Sequence, residues 1–149
     1  NPVFEKLMAQ HRGRHTTEAI PRGDVRAMLR ATKANHAVWF ATDQAPNYDQ
    51  LTALVPFFGH PAKTMIATSR IAKLSKAAVI PFYAVRASDD SHYKLTLLPA
   101  LENFPSDDPV ADTTRLNKLI EAQIRKTPAQ YLWTHKRFKR RGEGLPDPY

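Results

Sequence analysis

Residues 77–85 read AAVIPFYAV, an apolar run whose only polar group is the hydroxyl of Tyr83. A run without alternating polar side chains is a strand covered on both faces, as in the parallel sheets of α/β domains, and Pro81 is the residue that fits it least well. Residues 88–92 form a turn and residues 93–98 a further strand, so the two strands are expected to pair as a hairpin. Upstream, residues 37–41 (AVWFA) are another short apolar run, with β-favouring side chains, that stops at Thr42, Asp43 and Gln44 and is expected to be a buried strand.

Helical patterns flank these strands. Residues 2–11 carry Val3, Phe4, Leu7 and Met8 at helical spacing and are closed by Gly13. Asp24 is placed to cap a helix that buries Val25, Met28, Leu29 and Thr32 and ends near Asn35. Beyond Pro46, Asn47 and the apolar residues 54–58, Pro61 suits the first turn of a helix running to about Lys76. The small residues Ala62, Ala67, Ala72 and Ala77 would let that helix pack closely on a sheet. Asp112 opens a last helix, striped by Leu116, Leu119, Ile120 and Ile124 and ended before Pro128. The order helix, helix, strand, helix, strand, strand, helix predicts an α/β fold, and a sheet entered this way calls for strands earlier in the chain. No repeat or linker divides the 149 residues, which are taken as one domain.

The absence of cysteine excludes disulfides, thiolate nucleophiles and cysteine metal sites. No apolar run approaches the roughly 18 residues of a membrane span, and charges run through the first twenty residues, so these residues are expected to be soluble or surface-bound. A net charge of +8, from 22 Lys and Arg against 14 Asp and Glu, favours an anionic partner: nucleic acid, anionic lipid or an acidic carrier protein. The acidic residues gather at 89–112, whereas residues 135–141 (HKRFKRR) hold five formal positive charges.

Several groups are candidates for chemistry, each with a plain structural alternative. Asp43, just past a strand end, is where open α/β sheets hold ligands; it could equally be a loop carboxylate or a helix cap. Arg12 and Arg14 flank Gly13 and could present two guanidinium groups to a phosphate or carboxylate, or be solvated. Residues 57–61 (FFGHP) could offer backbone N–H groups to an anion at a helix start, or Gly59 could simply permit a turn with the phenylalanines in the core. In 131–141, Tyr131, Leu132, Trp133 and Phe138 interleave with the charges, which argues for anchoring to a fold or a membrane surface rather than a free tail.

Acyl transfer to a hydroxyl needs a general base, and acyltransferases of the glycerolipid type use a histidine with an acidic residue five positions later. The residues five after His11, His15, His36, His60, His92 and His135 are Thr16, Ile20, Ala41, Met65, Leu97 and Arg140, and none is acidic. The G-x-S-x-G, G-K-[ST] and H-E-x-x-H patterns are also missing.

The ending QYLWTHKRFKRRGEGLP (130–146) resembles the closing signature of the lipid A secondary acyltransferases, the lauroyl and myristoyl transferases. Four further stretches agree in the same order: Asn1-Pro2 with the arginines near 12 and 14, VWFATDQ (38–44), VPFFGHPAKT (55–64) and AAVIPFYAVR (77–86). The resemblance is to the carboxyl-terminal half of such enzymes and implies a mixed, mostly parallel sheet flanked by helices, glycerolipid-acyltransferase-like. It implies that residues 1–149 are the later part of a single acyltransferase domain whose membrane helix and catalytic histidine and acid lie upstream.

Such enzymes move a fatty acyl group from acyl carrier protein to a hydroxyl of a lipid A precursor on the cytoplasmic face of the inner membrane, without a cofactor. By position the resemblance gives Arg12 and Arg14 to substrate phosphate or to structure, Asp43 to the cleft wall, and Phe58 with Gly59 to the acceptor-binding block. Pro81 falls near the acyl channel, and Arg137, Lys139 and Arg141 face phosphates of lipid A or the anionic membrane. The chain departs from the family where Ala45-Pro46-Asn47-Tyr48 replaces the usual Asp-Tyr-Gly, and where Gly142 replaces a proline. The alternative reading is a catalytically inactive relative that binds anionic lipid or acyl carrier protein; nucleic acid is not an expected partner.

Overall fold

The computed structural model describes the chain apart from residues 15, 17, 22, 47–50, 90, 140–143 and 147, together with the side chains at 5, 9 and 12. It contains α1 (Pro2–Gly13), α2 (Val25–Lys33), β1 (Thr52–Phe57), β2 (His60–Met65), α3 (Ala67–Ser75), β3 (Phe82–Arg86), β4 (Tyr93–Leu97) and α4 (Pro109–Lys126), then single 3-10 turns at Pro128–Gln130 and Trp133–His135. The chain divides into two compact units, residues 1–38 and 39–149.

The first unit is helical, as the periodicity predicts. Asn1 caps α1 through its side-chain oxygen, which accepts from the Val3 amide at 3.0 Å. Asp24 caps α2 by accepting from the Ala27 amide at 2.9 Å, and Ala27 and Met28 are buried.

The second unit is built on a hairpin that the sequence pattern does not suggest. Residues 61–65 are not helical: Phe58 (φ 48°) and Gly59 (φ 79°) form a two-residue turn with both φ positive, the type I′ pattern, which folds β2 back antiparallel on β1. The bond from Ile66 N to Leu51 O, at 2.8 Å, makes the odd-numbered positions of β1 the hydrogen-bonded ones. Pro56 therefore faces Pro61 at a pair that exchanges no ladder bond, so two missing N–H groups cost the hairpin nothing. The helix expected from Pro61 begins only at Ala67, where α3 buries Ala67, Ser69 and Ala72.

Helix α4 lies against β1. Asp108 caps it, accepting from the amides of Val110 and Ala111, with Pro109 in the first turn, so it starts three residues before Asp112. Its buried stripe is not purely apolar: Leu116 and Ile124 are joined by Asn117 and Glu121, each 1% exposed. Asn117 Nδ2 donates to the Pro56 carbonyl (2.9 Å) and Glu121 Oε1 accepts from the Phe58 amide (2.8 Å). These residues sit one helical turn apart and hold the carbonyl and amide on either side of Phe57. Asp112 ties in α3, accepting from the Ser69 hydroxyl at 2.6 Å and from the Ser106 amide. The core gathers Phe57, Ala62 and Ile124, flanked by Phe58, Ile120, Tyr131 and Phe138.

The second hairpin, β3 with β4, forms as expected, but β3 begins at Phe82 because Pro81 has no N–H to place in a ladder. Bonds from Leu98 N to Pro81 O and from Ala87 N to His92 O turn the odd positions of β3 toward β4. Phe82, Ala84 and Arg86 consequently present their backbone groups to the outer edge. There the Gln130 side-chain amide closes Arg86 with two bonds, at 2.8 and 2.9 Å, and Phe82 and Ala84 have no backbone partner among the described residues. Within these residues the strand is not covered on both faces: Phe82, Leu95 and Leu97 lie on one side of the hairpin and are exposed. Residues 37–41 join no ladder among the described residues, and Trp39 is 66% exposed. The fold is α/β, with two two-stranded antiparallel sheets and no parallel pairing among the described strands.

Two substitutions test this packing. Phe57→Ala removes a fully buried ring contacted by Phe58, Tyr131 and Phe138, and should lower the unfolding free energy by about 3–5 kcal/mol in urea denaturation. Asp112→Ala strands the buried Ser69 hydroxyl and the Ser106 amide and should cost about 1–3 kcal/mol by the same measurement.

Candidate functional site

The aromatic and basic segment after α4 folds back onto the first hairpin and reaches the loop that carries Asp43. Arg137 is the anchor. Although it lies in the densest charge run of the sequence, it is only 2% exposed. Nη1 donates to the Lys63 carbonyl at 2.8 Å, Nη2 to the Thr64 hydroxyl at 2.6 Å, and the guanidinium carbon sits 5.0 Å from the centre of the Phe57 ring. Its Nε has no hydrogen-bond partner among the described residues. Burial pulls its pKa down, opposed by the fields of Tyr131, Asp43 and Tyr149. Phe138 packs beside it against Phe57 and His60, and its amide donates to the Tyr149 hydroxyl.

From this anchor two side chains reach the Asp43 loop. The Tyr131 hydroxyl donates to the Asp43 carbonyl at 3.3 Å, and the Ala45 amide donates to His135 Nε2 at 3.1 Å. Asp43 itself is half-buried, while Ala45 and Pro46 are buried. Burial, reinforced by the negative charge of Asp43, pushes the Tyr131 pKa up to about 12, with Arg137 acting in the opposite sense, so the phenol remains a donor at neutral pH.

A second grouping lies on the turn of the first hairpin. Phe58 is edge-on to Phe57 at 4.9 Å, is covered by the Arg125 guanidinium at 4.7 Å, and neighbours Trp133 at 6.5 Å. The Phe58 amide is occupied by Glu121, so the anion that this turn binds is an internal carboxylate and no helix start lies there. Gly59 is exposed, with open space where a Cβ would stand.

The structure therefore brings Asp43, Arg137, Phe58 and Gly59 into one unit, with Lys139 exposed just after the anchor. Arg14 is exposed at the end of α1 in the other unit, its amide donating to the His11 carbonyl. The Arg12 side chain and Arg141 lie outside the described residues. Sequence reasoning missed Tyr131 and His135 as supports of the Asp43 loop and Glu121 as the partner of the turn; Glu121, four residues after Asn117 inside an apolar stripe, was the available signal. No group of three His, Asp or Glu side chains suited to a metal occurs among the described residues.

Comparison with known proteins identifies the family of the chain. The family model described as bacterial lipid A biosynthesis acyltransferase matches residues 1–140. The chain is 34% identical over its whole length to a lipid A biosynthesis lauroyltransferase of Escherichia coli (strain K12), covering 49% of that protein. It is 36% identical to a palmitoleoyltransferase of the same organism, covering 48%, and 32% identical to a lipid A biosynthesis acyltransferase of Haemophilus influenzae, covering 49%. The chain spans about half the length of the curated relatives it matches. The chain belongs to the family of bacterial lipid A biosynthesis acyltransferases.

Proposed function

We propose that this chain is the carboxyl-terminal part of an acyltransferase domain that moves a fatty acyl group from acyl carrier protein to a hydroxyl of a lipid A precursor, at the cytoplasmic face of the bacterial inner membrane. The observation that carries this reading is the family match over residues 1–140. The closing segment, the part of the sequence that resembles the family most specifically, reaches the Asp43 loop, which supports a shared site.

In this mechanism a histidine supplied from upstream sequence, oriented by an acidic residue five positions later, takes the proton of the acceptor hydroxyl. The oxygen attacks the thioester carbonyl, the carbon–sulfur bond breaks, and the proton passes to the departing thiolate, giving an ester and free carrier thiol. No covalent enzyme intermediate or cofactor is needed. His135 is not that base, because its Nε2 is engaged as an acceptor from the Ala45 amide.

Asp43 lines the cleft, and Arg14 is a substrate-phosphate or structural arginine. Arg12, Arg14, Lys139 and Arg141 meet the phosphates of the acceptor and the anionic membrane surface, Phe58 and Gly59 form part of the acceptor wall, and Arg137 contributes from beneath by holding the segment that carries Lys139. The two hairpins belong to a larger, mostly parallel sheet of the glycerolipid-acyltransferase type. The net charge of +8 suits an acidic carrier, a phosphorylated acceptor and anionic headgroups alike. No helix among the described residues is long and apolar enough to cross a membrane.

The full-length protein should transfer acyl groups from acyl carrier protein to a lipid A precursor, and replacing the upstream histidine with alanine should lower kcat by about 10²–10⁴-fold. Absence of transfer, or of any upstream histidine followed by an acid at the fifth position, overturns the assignment. Arg14→Ala and Lys139→Ala should raise KM for the phosphorylated acceptor, with an effect that shrinks as salt screens the charges in assays at two ionic strengths.

A further inference from the structure

The backbone around Asp43 has few ways to hold its shape. Pro46 has no N–H, and Ala45, as the residue before a proline, is biased away from helical conformation, so no regular ladder or helix can satisfy this stretch. Ala45 is 3% exposed, and its buried amide must find an acceptor or be lost to folding at a cost. That acceptor is His135 Nε2, ninety positions later in the chain, and the carbonyl two residues before Ala45 receives the Tyr131 hydroxyl.

Both side chains project from one short segment whose own position is fixed independently of the loop. Arg137 binds that segment to β2 through Lys63 and Thr64, Tyr131 and Trp133 meet edge-on at 4.9 Å, and the Trp133 indole donates to the Pro128 carbonyl. The segment acts as a strut between the first hairpin and the loop, gripping a carbonyl and an amide that bracket Gln44.

We infer that Tyr131 and His135 are positioning residues that set the backbone of the Asp43 loop, and with it the direction from which the Asp43 carboxylate enters the site; the inference rests on the placement of Asp43 in the cleft proposed above. His135 works as a neutral imidazole, accepting at Nε2 with its proton on Nδ1. Tyr131 works as a donor through a hydroxyl that its ring packing does not require.

The test uses the full-length protein, with amide exchange at Ala45 and acyl-transfer kinetics measured side by side. His135→Leu fills the space but removes the acceptor; Ala45 exchange should accelerate and kcat/KM should fall, each by about tenfold or more, while the unfolding midpoint falls modestly and the protein stays folded under assay conditions. His135→Gln, whose side-chain oxygen can accept the same amide, should restore both. Tyr131→Phe keeps the ring and should lower kcat/KM in the native background but add little in an Asp43→Ala background, since both changes act through one group. Full activity of His135→Leu despite accelerated exchange overturns the inference, as does a loss in His135→Gln as deep as in His135→Leu, or a Tyr131→Phe loss that is additive with Asp43→Ala. Full activity of Asp43→Ala alone overturns instead the placement of Asp43 in the cleft, so the two failures are distinguishable.

Discussion

The guanidinium of Arg137 carries its charge into the interior of the second unit, and the local architecture is arranged around that fact. Removing such a cation from water costs several kcal/mol even after relaxation. Two charge-assisted hydrogen bonds, the face of the Phe57 ring and the negative charge of Asp43 offset that cost. Its partners on β2 exist only because the 58–59 turn brings β2 back beside β1, and its aromatic support comes from β1. The anchor therefore requires the hairpin. The closing segment, and through it the Asp43 loop, require the anchor.

The hairpin is held from its other side by α4, where Asn117 and Glu121 meet the backbone on either side of Phe57. Phe58 has a positive φ that a bulky residue adopts rarely. Its amide bond to Glu121, its edge contact with Phe57 and the Arg125 guanidinium over its ring hold it there. Glu121, in turn, is neutralised at its outer oxygen by Arg125 at 3.3 Å and Lys118 at 3.6 Å, both partly exposed. A turn, a buried carboxylate and two surface cations thus form one electrostatic chain across the helix–hairpin contact.

Local patterns were readable in the sequence wherever a single element satisfied its own needs. The caps at Asp24, the periodicity of α1, α2 and α4, and the pairing of β3 with β4 all follow from neighbours within one element or one turn. The first hairpin did not follow, because Phe58-Gly59 lacks the Asn-Gly or Asp-Gly signature and Pro61 is as acceptable at a helix start as at a strand pair without ladder bonds. The buried charges were concealed for a related reason: Arg137 lies in a run of like charges and Glu121 at a helical position flanked by leucine and isoleucine, and only tertiary contacts separate them from solvated neighbours. Asp43 was identifiable as a candidate from its place after an apolar run. Its supports were not, since they come from about ninety residues away.

The second hairpin differs in kind from the first. Its outer edge is closed at Arg86 by a glutamine side chain, and the adjoining Phe82 and Ala84 offer backbone donors and acceptors that no described residue satisfies, next to a face of exposed apolar side chains. An edge of this composition is a template: any extended polypeptide that reaches it gains ladder bonds and buries hydrocarbon in the same step. Gln130 works there as a one-residue stopper at the end of an otherwise receptive rail.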